Sequence, residues 1–205
     1  MSPKSVVIGL TGPMCAGKNI AADILEKRGF AVVDADKVAH QALREVQETV
    51  LAAFREDAAA KGIVLIQADG SINRRSLGQL IFSDPGLLAR HEGIIYPRIN
   101  EILEHFINEH SERGVVINAP LLHKSSILSQ CDFVIFIDAS LPIRLFRALK
   151  RDNLPIWQIF ARFWAQKHLF AQYRQKDVDI QRVYNRSSKL ALDNKIVKLL
   201  TNKGY

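Results

Sequence analysis

Two hydrophobic periods take turns along this chain. Continuous apolar runs occur at Val6-Val7-Ile8-Gly9-Leu10-Thr11, Phe30-Ala31-Val32-Val33-Asp34-Ala35-Asp36, Gly114-Val115-Val116-Ile117-Asn118 and Asp132-Phe133-Val134-Ile135-Phe136-Ile137-Asp138. Runs without polar alternation mark strands covered on both faces. Arg182-Val183-Tyr184 reads as a short fifth strand. Between these runs, apolar residues recur every three or four positions, the helical period. The spacing predicts helices from Lys18 to Arg28, closed by Gly29, and from Lys37 to about Lys61, on Val38, Leu43, Val46, Val50, Leu51 and Phe54. Asn73 to Phe82 follows a tight turn at Ala68-Asp69-Gly70-Ser71. A long helical pattern capped by Ser83-Asp84-Pro85 reaches about Arg113, with a break expected near Tyr96-Pro97. Leu141 to Asp152, Pro155 to about Gln172, and Ser187 to Thr201 complete the set. Gly62-Ile63-Val64-Leu65-Ile66 carries no readable state. Strands alternating with helices predict an α/β fold on a doubly wound, five-stranded parallel sheet. The purely helical stretch between the second and third strands predicts an insertion in one domain.

The junction of the first strand and first helix carries the chemistry. Gly12-Pro13-Met14-Cys15-Ala16-Gly17-Lys18-Asn19 places its glycines and lysine as the phosphate-binding pattern G-x-x-x-x-G-K-[ST] requires. Gly12 and Gly17 allow backbone angles closed to other residues. Main-chain N–H groups can then converge on a polyphosphate at a helix N-terminus. The candidate nucleotide-binding residues are Gly12, Met14, Cys15, Ala16, Gly17, Lys18, Asn19 and Ile20. Lys18 supplies a point charge for the β- and γ-phosphates. Asn19 departs from the pattern, standing where a hydroxyl usually meets Mg²⁺; its amide oxygen is a hard donor and a candidate metal ligand. The second apolar run ends in Asp34 and Asp36, at the sheet edge where ligands bind in open α/β sheets. The alternative for this pair is that one carboxylate caps the following helix.

Composition narrows the setting. The chain has 205 residues and is 48% hydrophobic, which suits one α/β domain with a sizeable core. Its formal net charge of +7 suits phosphate-rich ligands, with nucleic acid as the rival. The two cysteines, Cys15 and Cys131, show no disulfide or zinc spacing, which predicts a reducing, cytoplasmic location. The apolar run after Met1-Ser2-Pro3-Lys4 is too short for a signal peptide, and no stretch approaches a membrane span. Charge concentrates between Arg144 and Lys176: Arg144, Arg147, Lys150, Arg151, Arg162, Lys167, Arg174 and Lys176 face one acid, Asp152. In a phosphoryl-transfer enzyme this helical pair, about 144–176, would be a lid over ATP. For most of these cations a solvated face is the expectation. Trp157, Phe160, Phe163, Trp164, Phe170 and Tyr173 interleave with them, as in nucleic-acid binders, but many fall at helical spacing, which predicts core packing.

With these pieces placed, the chain resembles the dephospho-coenzyme A kinases over nearly its whole length. The resemblance rests on Gly9-Leu10-Thr11-Gly12 with Gly17-Lys18, and on Val33-Asp34-Ala35-Asp36 with Ala39 and Gln41. It continues through Ala68-Asp69-Gly70-Ser71-Ile72-Asn73-Arg74-Arg75, Ile81-Phe82, Pro97, Pro120-Leu121-Leu122, and Arg147 with Arg151-Asp152. It implies a P-loop kinase fold (core 1–36, 114–140 and 177–205, acceptor-binding insertion about 37–113) and transfer of the ATP γ-phosphoryl to the ribose 3′-hydroxyl of dephospho-coenzyme A, with Mg²⁺. It implies Asp36 as general base, Lys18 and Arg147 on the phosphates, and Asp34, Arg75, Tyr96, Pro97, Pro120, Leu121 and Leu122 on the acceptor side. Asp138, ending an apolar strand, is a rival metal ligand or a helix cap. Tyr96 stands where the family usually has His, and Lys124 where Glu is usual. The lid segment Gln166-Lys167-His168-Leu169-Phe170-Ala171-Gln172 lacks the arginines expected near it. Alternative functions are a nucleoside or nucleotide kinase, a non-catalytic nucleotide-binding protein and a basic nucleic-acid binder. No membrane partner is expected, and the oligomeric state is not legible.

Overall fold

Five parallel strands form one sheet in the computed structural model, which describes residues 6–151 and 155–205. Met1-Ser2-Pro3-Lys4 and Asp152, both named above, lie outside the described residues. The strands are β1 (Val7–Thr11), β2 (Ala31–Asp34), β3 (Val115–Asn118), β4 (Phe133–Asp138) and β5 (Ile180–Tyr184), in the order β2-β3-β1-β4-β5. All four pairings are parallel, with Ile8 opposite Val116 and Phe133, and Leu10 opposite Asn118 and Ile135. Consecutive strands in a parallel sheet need crossovers, and the helices supply them. α1 (Lys18–Lys27) and α9 (Lys189–Asn202) cover one face. They bury Ile24, Leu25, Leu192, Ile196 and Leu200 against Ile8, Leu10, Val116, Ile135, Ile137 and Val183. The intervening strand residues point the other way, as the period of two requires. There Gly9 meets Leu122, and Phe136 packs edge-on to Phe170 and Tyr173.

The chain divides into two units, one of Met1–Asp34 with Phe106–Tyr205 and one of Ala35–His105. The first holds the sheet. The second is helical: α2 (Ala35–Glu45), α3 (Gln47–Ala60), α4 (Arg74–Ile81) and most of α5 (Pro85–Glu109). Its interior includes Val50, Phe54, Leu65, Ile72, Leu77, Leu80, Ile95, Ile99 and Leu103. The Asp69-Gly70 turn is closed by Ser71 N–H donating to Asp69 Oδ1 at 2.9 Å, with Gly70 at φ +80°. Gln47 clasps that loop, donating to Gly70 O and accepting from Ile72 N–H, each at 3.1 Å. Asn73 then caps α4 by accepting from Ser76 N–H, which sets Arg74 and Arg75 at the helix start.

Several elements differ from the sequence expectations. The second strand ends at Asp34, so Asp36 lies in the first turn of α2 and not on a strand. A helix N-terminus favours an acid there, and α2 begins at once. The expected helix from Lys37 to Lys61 is two, because Val46 leaves helical geometry and Gln47 turns to its loop. The break expected at Tyr96-Pro97 is absent. Ile95, Ile99 and Leu103 hold one buried stripe across Pro97, and burial outweighs one lost hydrogen bond. The segment from Pro155 to Gln172 is also two helices, α7 (Ile156–Ala165) and α8 (Leu169–Arg174), which follow α6 (Leu141–Arg151). The stretch Gly62–Ile66 is irregular apart from one bridge between Ile66 and Ile72.

Candidate nucleotide-binding site

β1 delivers Thr11 to the carboxyl edge of the sheet, and the glycine loop turns there into α1. Gly12 sits at φ +148° and its close approach to β4 leaves no room for a side chain: a methyl would lie 2.1 Å from the Ile137 carbonyl oxygen. Gly17 takes φ +106° as the residue before α1, where a methyl would lie 2.2 Å from Asn185 Nδ2. Cys15 adopts φ +61°, a left-handed conformation unusual for a non-glycine residue. Ala16 N–H closes the turn onto Pro13 O at 3.1 Å. Among the described residues, no side chain caps the start of α1. The first turn of a helix leaves N–H groups without intrahelical partners, and a phosphate satisfies both them and the dipole. The structure therefore gathers Gly12, Met14, Cys15, Ala16, Gly17, Lys18, Asn19 and Ile20 in one loop and helix start. Lys18 is partly exposed, and Asn19 and Ile20 are exposed.

The loop's outer side is occupied by the protein itself. Arg147, on α6, donates from Nη1 to Cys15 O at 3.3 Å and Ala16 O at 3.1 Å. Arg144 donates from Nε to Met14 O at 2.8 Å and stacks on Phe163, its guanidinium carbon 4.5 Å from the ring centre. It is 9% exposed, which removes it from the solvated face expected for most of these cations. Burial lowers its pKa from the ordinary arginine value, and Asp138 acts in the opposite sense. The aromatics of this region divide as well. Phe163 and Tyr173 are buried, whereas Trp157 and Trp164 are 67% and 71% exposed, against the core packing that helical spacing suggested.

Neighbouring strand ends place further polar groups. Asp34 ends β2 opposite Asn118, which ends β3. Asn118 Nδ2 donates to Asn19 Oδ1 at 3.4 Å, and the buried Asn118 Oδ1 has no hydrogen-bond partner among the described residues. A long, weak contact at Asn19 and an orphaned amide oxygen beside it suit a hard cation that keeps most of its ligands as water and phosphate. Among the described residues, no three His, Cys, Asp or Glu side chains gather as a metal cluster. Asp138 accepts from Ala139 N–H at 2.8 Å and pairs with Arg182, so its carboxylate is engaged.

On the far side of β1, the Tyr173 hydroxyl lies 3.0 Å from Thr11 Oγ1 and accepts from His123 N–H at 3.2 Å. Burial pushes its pKa up to about 12, so it remains a neutral phenol. Tyr173 and the Pro120 carbonyl thus fasten the end of β1 to the segment after β3. Pro120 is partly exposed, Leu121 is exposed, and Leu122 is buried against Gly9. In the helical unit, Asp36 and Arg75 are exposed, Pro97 is exposed, and Tyr96 is half-buried with its pKa raised to about 12 by burial. Sequence reasoning missed Asn185, Arg144 and Tyr173 at the loop. Asn185 was within reach, since it follows β5 at the same carboxyl edge that singled out Asp34.

The family model described as Dephospho-CoA kinase matches residues 6–187. A dephospho-CoA kinase of Treponema denticola is 38% identical over 204 residues, covering 98% of this chain and 91% of its own. That of Treponema pallidum is 34% identical, covering 97% and 95%. Among solved structures, TT1252 from Thermus thermophilus superposes with a TM-score of 0.82 at 24% identity, covering 98% of both chains. Dephospho-CoA kinase from Campylobacter jejuni gives 0.69 at 22% identity, covering 95% of both. These two show the same P-loop kinase fold. With the glycine loop at its sheet edge and a full-length match to the family model, the chain belongs to the dephospho-CoA kinase family.

Proposed function

We propose that this chain transfers the γ-phosphoryl group of ATP to the ribose 3′-hydroxyl of dephospho-coenzyme A. Membership of the family makes it a kinase that phosphorylates dephospho-CoA. The observation that carries the finer reading is the uncapped start of α1 behind a loop whose glycines cannot bear side chains. In this reading main-chain amides of the glycine loop and the first turn of α1, other than those of Met14 and Ala16, which bond within the protein, cradle the triphosphate, and Lys18 meets the β- and γ-phosphates. Arg147 adds positive charge beside the loop. Asp36 receives the proton of the acceptor hydroxyl as the ribose oxygen bonds to phosphorus and the bond to ADP breaks. Asp34 supports Asp36, two residues further along, from the end of β2. Arg75, Tyr96, Pro97, Pro120 and Leu121 contact the acceptor, and Leu122 shapes that region from its buried position. Mg²⁺ bound with ATP would neutralise phosphate charge, with Asn19 as its protein ligand.

The test is product formation. Protein with Mg²⁺-ATP and dephospho-coenzyme A is expected to yield coenzyme A and ADP, with nucleosides giving none. Phosphorylation of a nucleoside in preference, or ATP binding without turnover of any acceptor, would overturn the reading.

A further inference from the structure

The phosphate loop is gripped from outside by side chains far along the chain. Two of them, Gln166 and Asn185, carry no charge. Gln166 stands in the turn between α7 and α8, and its Oε1 accepts from Met14 N–H at 2.7 Å. Asn185 follows β5, is 3% exposed, and donates from Nδ2 to Ala16 O at 2.8 Å. Its own N–H donates to Asp138 O at 2.7 Å, which ties it to the end of β4. With Arg144 on Met14 O and Arg147 on Cys15 O and Ala16 O, three successive loop carbonyls are held on the outer side.

This grip has a direct geometric consequence. In a trans peptide the C=O and the next N–H point in opposite directions within one plane. Fixing the carbonyls of Met14 and Ala16 outward turns the N–H groups of Cys15 and Gly17 inward, towards the concave side. The loop needs such support, because Cys15 sits at φ +61° between glycines at +148° and +106°. A strained backbone persists only where its surroundings over-determine it.

We propose that Gln166 and Asn185 are positioning residues that hold the loop in its phosphate-binding shape before ATP arrives. Gln166 also makes that shape depend on the α7–α8 turn. The proposal rests on the loop being the ATP site. It predicts that ATP affinity, not the chemical step, suffers when either grip is lost. Gln166→Met keeps the side chain's length and removes the acceptor; Asn185→Ala removes the donor. Each is expected to raise the KM and Kd for ATP about 3–10-fold, the range of one hydrogen bond, with kcat and the acceptor's KM within about twofold. Kd is read by calorimetry with a non-hydrolysable ATP analogue. Unchanged ATP affinity in both variants would overturn the proposal. So would a fall in kcat and melting temperature at unchanged KM, which marks a purely structural role. Lys18→Ala separates the two levels. If it binds ATP as the unaltered chain does, the loop is not the ATP site; if it loses ATP while the other two variants keep it, only the grip is refuted.

Discussion

Gly12 shows how one residue can tie fold and site together. Its absent side chain lets the loop pass within van der Waals reach of β4, and its φ of +148° is one that L side chains rarely adopt. Gly12→Ala would press a methyl into the Ile137 carbonyl, a main-chain atom in a buried strand that has nowhere to go. Strain and overpacking together are expected to cost about 2–5 kcal/mol, read as a lower midpoint in urea unfolding. A midpoint equal to that of the unaltered protein would contradict the geometry. The positive φ angles of Gly12 and Gly17 were legible in the sequence because the spacing of the pattern, between a strand and a helix, marks a glycine loop. Arg144 was not. Nothing in a run of cations says which one is buried, and its place under Met14 depends on Phe163 from a different helix. Asp36 was assigned to a strand end; the chain turns into α2 at Ala35, two residues earlier than the apolar run suggests.

Among the elements, the strands were the most legible, because a short, unbroken apolar run in a chain of alternating periods fits little besides a buried strand. Helix continuity was the least legible. The α7–α8 break at Gln166 to His168 leaves the apolar period almost intact across it. Proline was misleading in α5, since the local penalty is real but a buried stripe of Ile95, Ile99 and Leu103 overrides it. That leaves a testable residue of strain. Pro97 has no N–H for the Gly93 carbonyl, so Pro97→Ala restores one helical hydrogen bond and removes a ring from the helix interior. It is expected to stabilise the protein by about 1–3 kcal/mol, measured as a raised melting temperature. If Pro97 also contacts the acceptor, the same variant shows a raised KM for dephospho-coenzyme A and an unchanged one for ATP. A lower melting temperature would show that Pro97 is held by packing rather than tolerated in spite of it.

At the scale of the whole molecule, the proposed roles fall on residues of both units. The sheet unit carries the loop, Lys18, Arg147 and the strand-end residues Asp34 and Asn118. The helical unit carries Asp36, Arg75, Tyr96 and Pro97, the residues proposed for the acceptor side. The role proposed for Asp36 is to take the proton of the acceptor hydroxyl while the loop holds ATP. Its most direct test is steady-state turnover of Asp36→Asn with Mg²⁺-ATP and dephospho-coenzyme A, with ATP binding measured alongside. A general base predicts kcat lowered by about 10²–10⁴ with ATP affinity preserved. Turnover at the rate of the unaltered enzyme would remove Asp36 from the reaction.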